Sequence, residues 1–251
     1  MNRAFKMIRE IATGALLVNI VWWLASVILH LNALPGPVAV YSRLGGIIRE
    51  SMGIHILASL ERIAAGVGIA VALGVGTGLL MNSFKVADRL LGSFIYFTYP
   101  VPKLALLPVV MLLAGIGEAT KIILIVLIIV FQIIIATRDA AAHIPKENYQ
   151  ILTTLGASPW QILRKVTLPA ILPDLFTTLR IAVGTAVSIL FVTETYGTEQ
   201  GMGYYIVDAW MRFNYTDMYA GIVILSLIGF MLFLIIDLSD LLLCRWKNKP
   251  S

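Results

Sequence analysis

The sequence predicts an all-α, polytopic membrane protein with six transmembrane helices, and three observations carry that prediction. First, 59% of the 251 residues are apolar and 13% are charged, with a mean hydropathy of +0.89. That is too little polar surface to coat a water-soluble globule of this length. Second, the apolar residues fall into runs at about 11–29, 57–80, 93–114, 119–137, 176–196 and 219–243. Each is near the roughly 20 residues a helix needs to cross a hydrocarbon core of about 30 Å. Third, no run alternates in the manner of a barrel strand, and lipid offers no partner to an unbonded backbone group, so each span must satisfy its own donors as a helix. One transmembrane domain covering 1–251 follows.

The first span follows Arg3, Lys6 and Arg9, the charge pattern of a signal peptide. It is longer than an ordinary signal h-region, and Leu34-Pro35-Gly36-Pro37 stands in place of a small-x-small cleavage site, so it is read as a retained helix. The second span carries Gly66, Gly68, Gly74, Gly76 and Gly78, with Ala70, Gly74 and Gly78 four residues apart on one face. Small residues at that spacing let helix backbones approach closely in lipid. A phosphate-binding loop needs a preceding strand, which is missing here. Pro100, Pro102 and Pro108 interrupt the third span, each removing a backbone donor. A broken helix at membrane depth borders a cavity or packs on protein, which makes Pro100 and Pro102 candidates for a translocation path beside the reading of a simple kink.

Cations set the orientation. Arg3, Lys6, Arg9, Lys85, Arg89, Arg138, Lys146, Arg164, Lys165, Arg245, Lys247 and Lys249 fall on one side, against Arg43, Arg49, Lys121 and Arg212 on the other. The positive-inside rule then puts both termini in the cytoplasm. Trp22, Trp23 and Trp246 are read as interfacial anchors. The formal charge of +5 is neither clustered nor interleaved with aromatics as in a nucleic-acid-binding domain. Cys244 is the single cysteine, so disulfide, zinc-thiolate and redox-pair chemistry are excluded. His30, His55 and His143 lack metal-ligand spacing. No Gly-Lys dipeptide supplies a Walker-type phosphate loop, and no polar cluster has the makings of a catalytic site, so an enzyme is not expected.

The longest cytoplasmic stretch, about 139–175, reads as two short helices joined by a turn. Pro145 suits a first helical position, Ile151, Leu152 and Leu155 form an apolar stripe, and Gly156 can end it in a left-handed conformation. Ser158-Pro159-Trp160-Gln161 has the residues of a capping box, and Ile162, Leu163 and Val166 extend a second stripe until Leu168-Pro169 stops it. Such a helix pair fits a groove on another protein or lies on lipid headgroups; both want one apolar face.

Glu147, then Gly156-Ala157-Ser158, Ile162, Val166, Leu168-Pro169 and Leu172-Pro173 resemble the cytoplasmic EAA loop of binding-protein-dependent ABC permeases. The family's two alanines are Asn148 and Tyr149 here. Further marks in the same order are Ser59-Leu60 with Arg62 and Gly66, then Pro100, Pro102 and Leu107-Pro108, then Gly115-x-Gly117-Glu118, then Glu194 with Gly201-Met202-Gly203. The resemblance implies a type I ABC importer permease bundle with a core over about 55–240, set in the bacterial inner membrane. Glu147, Leu152, Gly156, Ala157, Ser158, Ile162, Leu163, Val166 and Pro169 would couple it to an ATPase subunit present in two copies. A second permease copy, an expected homodimer partner, and an extracytoplasmic solute-binding protein complete the assembly. No cofactor binds this chain; ATP and magnesium belong to the ATPase. The subgroup it is most similar to imports taurine, alkanesulfonates, nitrate, bicarbonate and pyrimidine precursors, so a small, anionic solute is expected. A stand-alone secondary transporter or channel is the alternative, and would need inverted repeats or midplane coupling acids.

Arg62, Lys103, Arg180 and Glu194 lie within or near spans, where an ionised group costs on the order of 2.5–3.5 kcal/mol and normally faces the bundle interior. Glu194 is expected to pair with Arg62 or Lys103, or with Lys103 to line the path, where the lysine attracts an anion; Arg180 and Arg62 can also snorkel to headgroups. Gly201, Gly203 and Tyr204, ahead of Tyr205 and Trp210, form an external aromatic segment, read either as a short interfacial helix or, by the resemblance, as an outer gate.

Overall fold

The computed structural model describes residues 3–248, with the side chains of 9–49 and 52–246. Lys249 of the basic tail lies outside them, as do the side chains of Arg3, Lys6 and Lys247. Every regular element among the described residues is helical: α1 (Arg3–Leu29), α2 (Pro37–Ile47), α3 (Gly53–Ser83), α4 (Lys85–Thr98), α5 (Leu107–Ala114), α6 (Glu118–Ala142), α7 (Lys146–Thr154), α8 (Pro159–Ile162), α9 (Leu168–Glu194), α10 (Met202–Met211) and α11 (Tyr215–Leu243). Five stretches are long and apolar enough to cross a membrane (9–29, α3, α6, 159–194 and α11), and the bent pair α4–α5 makes a sixth.

The centre of the bundle is α3, α6 and α9, joined through Ile63, Ala70, Leu124, Ile125, Ile129, Ile133, Ala186 and Leu190. The glycines of α3 create this contact. A Cβ added at Gly66 would stand 2.6 Å from Ile125 Cγ2, one at Gly74 2.6 Å from Ile133 Cγ2, and one at Gly78 2.7 Å from the Ile134 carbonyl. Small residues at 66, 70, 74 and 78 thus let α6 lie against the backbone of α3, as the four-residue spacing predicts. A second cluster ties α2, α10 and α11 together around Val40, Ile47, Met202, Ile206 and Ile224. None of the apolar stretch of α1 is buried; it is held at one end, where Trp22 stacks on Tyr219 and donates Nε1–H to the Pro35 carbonyl. Trp22 is therefore engaged by protein and not simply a headgroup anchor.

Several boundaries differ from the sequence reading, each for a local reason. The third span begins at Lys85, because a polar first turn carries α4 beyond the apolar run. It then breaks at Tyr99–Pro102 and resumes after a 3-10 turn at Lys103–Leu106, with α5 bent 85° from α4. Pro108 sits in the first turn of α5, where its missing N–H costs nothing. Residues 37–52 are helical and run through a π turn (Ile48–Met52) into α3, a continuation the short apolar content of this stretch does not signal.

The main correction concerns Leu168-Pro169, which does not stop the helix. α8 passes through a π turn at Leu163–Thr167 directly into α9, giving one helix from Pro159 to Glu194. The Leu168 N–H reaches back five residues to the Leu163 carbonyl. The widened turn precedes Pro169, which has no N–H to give and whose ring would crowd an ordinary α-turn. At about 1.5 Å per residue the 36-residue helix is ~54 Å long. Only the first of the two expected short helices is a separate element.

Candidate functional site

At one end of the bundle, α7 and α8 form an elbow. Pro145 is the N-cap of α7 and not its first helical residue. Gly156 is left-handed (φ +74°); its N–H bonds the Thr153 carbonyl and that of Ala157 the Leu152 carbonyl, the paired bonds of a Schellman close. The chain re-enters helix at once: Gln161 N–H donates to Ser158 Oγ (3.3 Å) and Ser158 N–H to Gln161 Oε1 (2.8 Å). Ala140, Ile144, Tyr149, Val166, Leu168 and Ile171 pack into one cluster that fastens the elbow to the ends of α6 and α9. Tyr149, in place of a family alanine, reaches Thr167 Oγ1 at 3.4 Å. Ile151 (62% exposed), Leu155 (77%) and Trp160 (66%) are left bare on the elbow. Leu152, Val166 and Pro169 line a cavity of about 370 Å³ together with Trp246, while Ile162 and Leu163 line one of about 510 Å³ beside Trp160.

A polar clasp closes the opposite end. Glu194, the last residue of α9, is fully buried and accepts from Arg62 Nη1 (2.6 Å), Ser59 Oγ (2.8 Å) and the Gly203 N–H (2.8 Å). Arg62 also grips Glu118 of α6 through Nε and Nη2 and donates to the Gln200 carbonyl at 2.8 Å. Lys121 lies 3.7 Å from Glu118 and donates to the Gly117 carbonyl. Ser59 Oγ accepts the Met202 N–H and His55 Nδ1 the Gly201 N–H. Gly201 (φ +124°) has no room for a Cβ, which would fall onto Glu194 and Arg62 Nη1; at Gly203 it would fall onto the Phe191 carbonyl. Four elements, α3, α6, α9 and α10, are thereby locked at one point. Of the residues read as an outer gate, Gly201 and Gly203 fit around this carboxylate and Tyr204 stacks on His55.

Between the two ends runs a polar row. The outward residues of α3, such as Leu57, Ile69, Leu73 and Leu80, are apolar and suit lipid. On α9 the outward row is Thr177, Ile181, Thr185 and Ser188, its hydroxyls folded back on their own helix. α11 bounds one side of the row, where Arg180 pairs with Asp237 (Nε to Oδ1, 2.7 Å). The break between α4 and α5 bounds the other, where Ile189 helps line a cavity of about 380 Å³ with Tyr99, Pro102, Lys103, Ile128 and Gln132. Lys103 Nζ bonds the Tyr99 and Thr98 carbonyls (3.0 and 3.2 Å) and sits 4.8 Å from the Phe131 ring centre.

Residues 67–247 match the family described as the inner membrane component of binding-protein-dependent transport systems. The chain belongs to that family. The permease is 31% identical over 249 residues to the taurine transport system permease protein TauC of Escherichia coli K12, covering 96% of this chain and 90% of that one. It is 29% identical to the formylaminopyrimidine transport permease protein ThiX of Halalkalibacterium halodurans, with 86% of each covered. Among solved structures, a bacterial alginate ABC transporter aligns over 97% of this chain and 99% of its own with a TM-score of 0.67 at 16% identity. The inward-facing methionine ABC transporter MetNI aligns over 78% and 95% with a TM-score of 0.64 at 20% identity. The permease therefore has the ABC importer permease fold and is an integral membrane protein.

Within the permease, Glu147, Leu152, Gly156, Ala157, Ser158, Ile162, Leu163, Val166 and Pro169 all fall on or against the one elbow. Lys103 and Glu194 do not form a pair: of the two cations the sequence offers, the buried acid bonds Arg62, inside the clasp. Pro100 and Pro102 form the break beside Lys103. Sequence reasoning missed Glu118 as the second acid on Arg62, although Gly115-x-Gly117-Glu118 marked the position. It also missed Gln132, an amide in the midst of an apolar span, and the outward hydroxyls of α9, Thr177, Thr185 and Ser188, which with Ile181 share one face at helical spacing.

Proposed function

We propose that this permease is one half of an ATP-driven importer, with the elbow as its connection to a separate ATPase. The observation that carries this is the elbow itself: bare Ile151, Leu155 and Trp160 on a capped, rigid helix pair whose second member is the same helix that runs to Glu194. A groove on a partner would cover these side chains, and any displacement there is imposed on α9 directly. Lys85, Arg89, Arg138, Arg164, Lys165 and Arg245 gather at this end, which supports placing it and both termini in the cytoplasm. The path lies along the hydroxyl row of α9, between this copy and a second one, expected to be identical. ATP and magnesium sit on two ATPase copies, and a solute-binding protein delivers a small anionic solute at the clasp end. The likeness to taurine and formylaminopyrimidine transport permeases supports a small polar cargo.

The test is copurification. Tagged permease brings down an ATP-hydrolysing subunit, and Leu155→Asp or Trp160→Asp, both at exposed positions, releases it while the permease stays folded by size-exclusion profile. Wild type purified without an ATPase, yet moving solute in liposomes, overturns the reading in favour of a secondary transporter.

A further inference from the structure

We infer that the cavity at the α4–α5 break is a binding site for a small organic anion that also offers a hydrogen-bond donor, such as an aminosulfonate or amino acid; this rests on the path proposed above. Phe131 and Gln132 lie about halfway along α6, so the cavity sits at mid-depth in the bundle. Elsewhere in the bundle the cations have carboxylates: Arg62 has Glu118 and Glu194, Lys121 has Glu118, and Arg180 has Asp237. Among the described residues no carboxylate pairs with Lys103. It is held by backbone carbonyls and aromatic faces, and while two of those bonds are short, the third, to Val101, stretches to 3.5 Å. The bond to Val101 is the weakest of the three, and it is the one an incoming oxyanion would displace.

Gln132 supplies the second half. Its Oε1 is buried and has no hydrogen-bond partner, a condition native structures rarely leave unexplained. A solute carrying an anionic group for Lys103 and an N–H or O–H for Gln132 satisfies both. The cavity, about 380 Å³, is at the small end of ligand pockets, and its remaining walls, Tyr99, Pro102, Ile128 and Ile189, are apolar or aromatic. Its wall residue Ile189 adjoins Ser188 of the hydroxyl row on α9, so a solute there would stand next to the path.

The test uses membrane vesicles holding the full transporter, with buried Cys244 changed to serine and Tyr99→Cys as the reporter thiol. With each rate divided by that reagent's rate against a free thiol in solution, the anionic 2-sulfonatoethyl methanethiosulfonate reacts at least tenfold faster than its trimethylammonioethyl counterpart, and Lys103→Met brings the ratio to about one. 2-Aminoethanesulfonate protects the thiol at lower concentration than ethanesulfonate, and Gln132→Leu removes that difference. No labelling by either reagent, no preference for the anion, a preference indifferent to Lys103→Met, or equal protection by the two sulfonates overturns the inference. ATPase copurification, measured on the same vesicles, reports separately on the importer reading.

Discussion

Replacing Glu194 with glutamine keeps the shape of the side chain and deletes its charge. The carboxylate is fully buried and takes Arg62 Nη1, Ser59 Oγ and the Gly203 N–H. An amide offers one acceptor oxygen to these donors and turns its own N–H groups toward the rest. Removing one member of a buried ion pair costs about 3–5 kcal/mol when the other charge is stranded. Arg62 is not stranded, because it keeps Glu118, but that carboxylate is 60% exposed and a pair so screened contributes about 0–1 kcal/mol. The expected loss is therefore about 3 kcal/mol, near a hundredfold in the folding equilibrium. At about 2–4 °C per kcal/mol for a chain of this size, the melting temperature falls by ~6–12 °C. Intrinsic tryptophan fluorescence of the detergent-solubilised transporter during heating reads this directly, with Glu118→Gln as the paired control expected to shift by under about 4 °C. If Glu194→Gln melts with the wild type while uptake falls, the acid works on solute, and the clasp argument fails.

Gly78→Ala sets a Cβ 2.7 Å from the Ile134 carbonyl, which cannot swing aside, and overpacking of this kind costs about 1–3 kcal/mol; the same melting assay detects it, whereas Gly76→Ala, with open space around it, stays near wild type. Gly156→Ala meets no atom within 4 Å, so its effect is purely the left-handed backbone, about 1–2 kcal/mol; ATP-driven uptake falls and Gly156→Asn, which tolerates that conformation, restores much of it. Ser158→Ala breaks the capping box, loosening the start of α8 by about 0.5–2 kcal/mol, measurable as faster amide exchange at residues 159–162. Ser188→Leu leaves the melting temperature within about 2 °C, since the side chain is exposed, but lowers uptake; unchanged uptake would mean that this face meets lipid.

Much of this architecture is legible because lipid and backbone geometry act locally. The glycine spacing of α3, the left-handed Gly156, the Ser158 box and the proline break are each decided by a few adjacent residues. What escaped depends on distant chain. Whether a helix survives Leu168-Pro169 turns on a π turn that packs Val166 against α6, and a proline alone reads as a stop. Glu194 had two candidate cations, and choosing Arg62 over Lys103 requires knowing that α9 ends where the first part of α3 passes it. Asp237 was readable as an acid inside an apolar span, but its match to Arg180 needs the depth at which α11 crosses α9.

Continuity between elbow and clasp constrains how the bundle can move. Because Pro159–Glu194 is a single hydrogen-bonded helix, a shift at Trp160 cannot be absorbed at the membrane surface by a loop; it must bend the π turn or tilt α9. Tilting α9 drags Glu194, and Glu194 is bonded to α3 through Arg62 and Ser59 and to α10 through Gly203. These bonds are buried and fully matched, so they move as a unit. The Glu118 arm differs: it is solvent-exposed and its partner Arg62 retains an acid without it. A carboxylate in water loses little on release. The Glu118 arm is therefore the weakest polar link of the clasp, and what holds α3 to the head of α6 is chiefly the packing of Gly66 and Ile63 against Ile125 and Leu124.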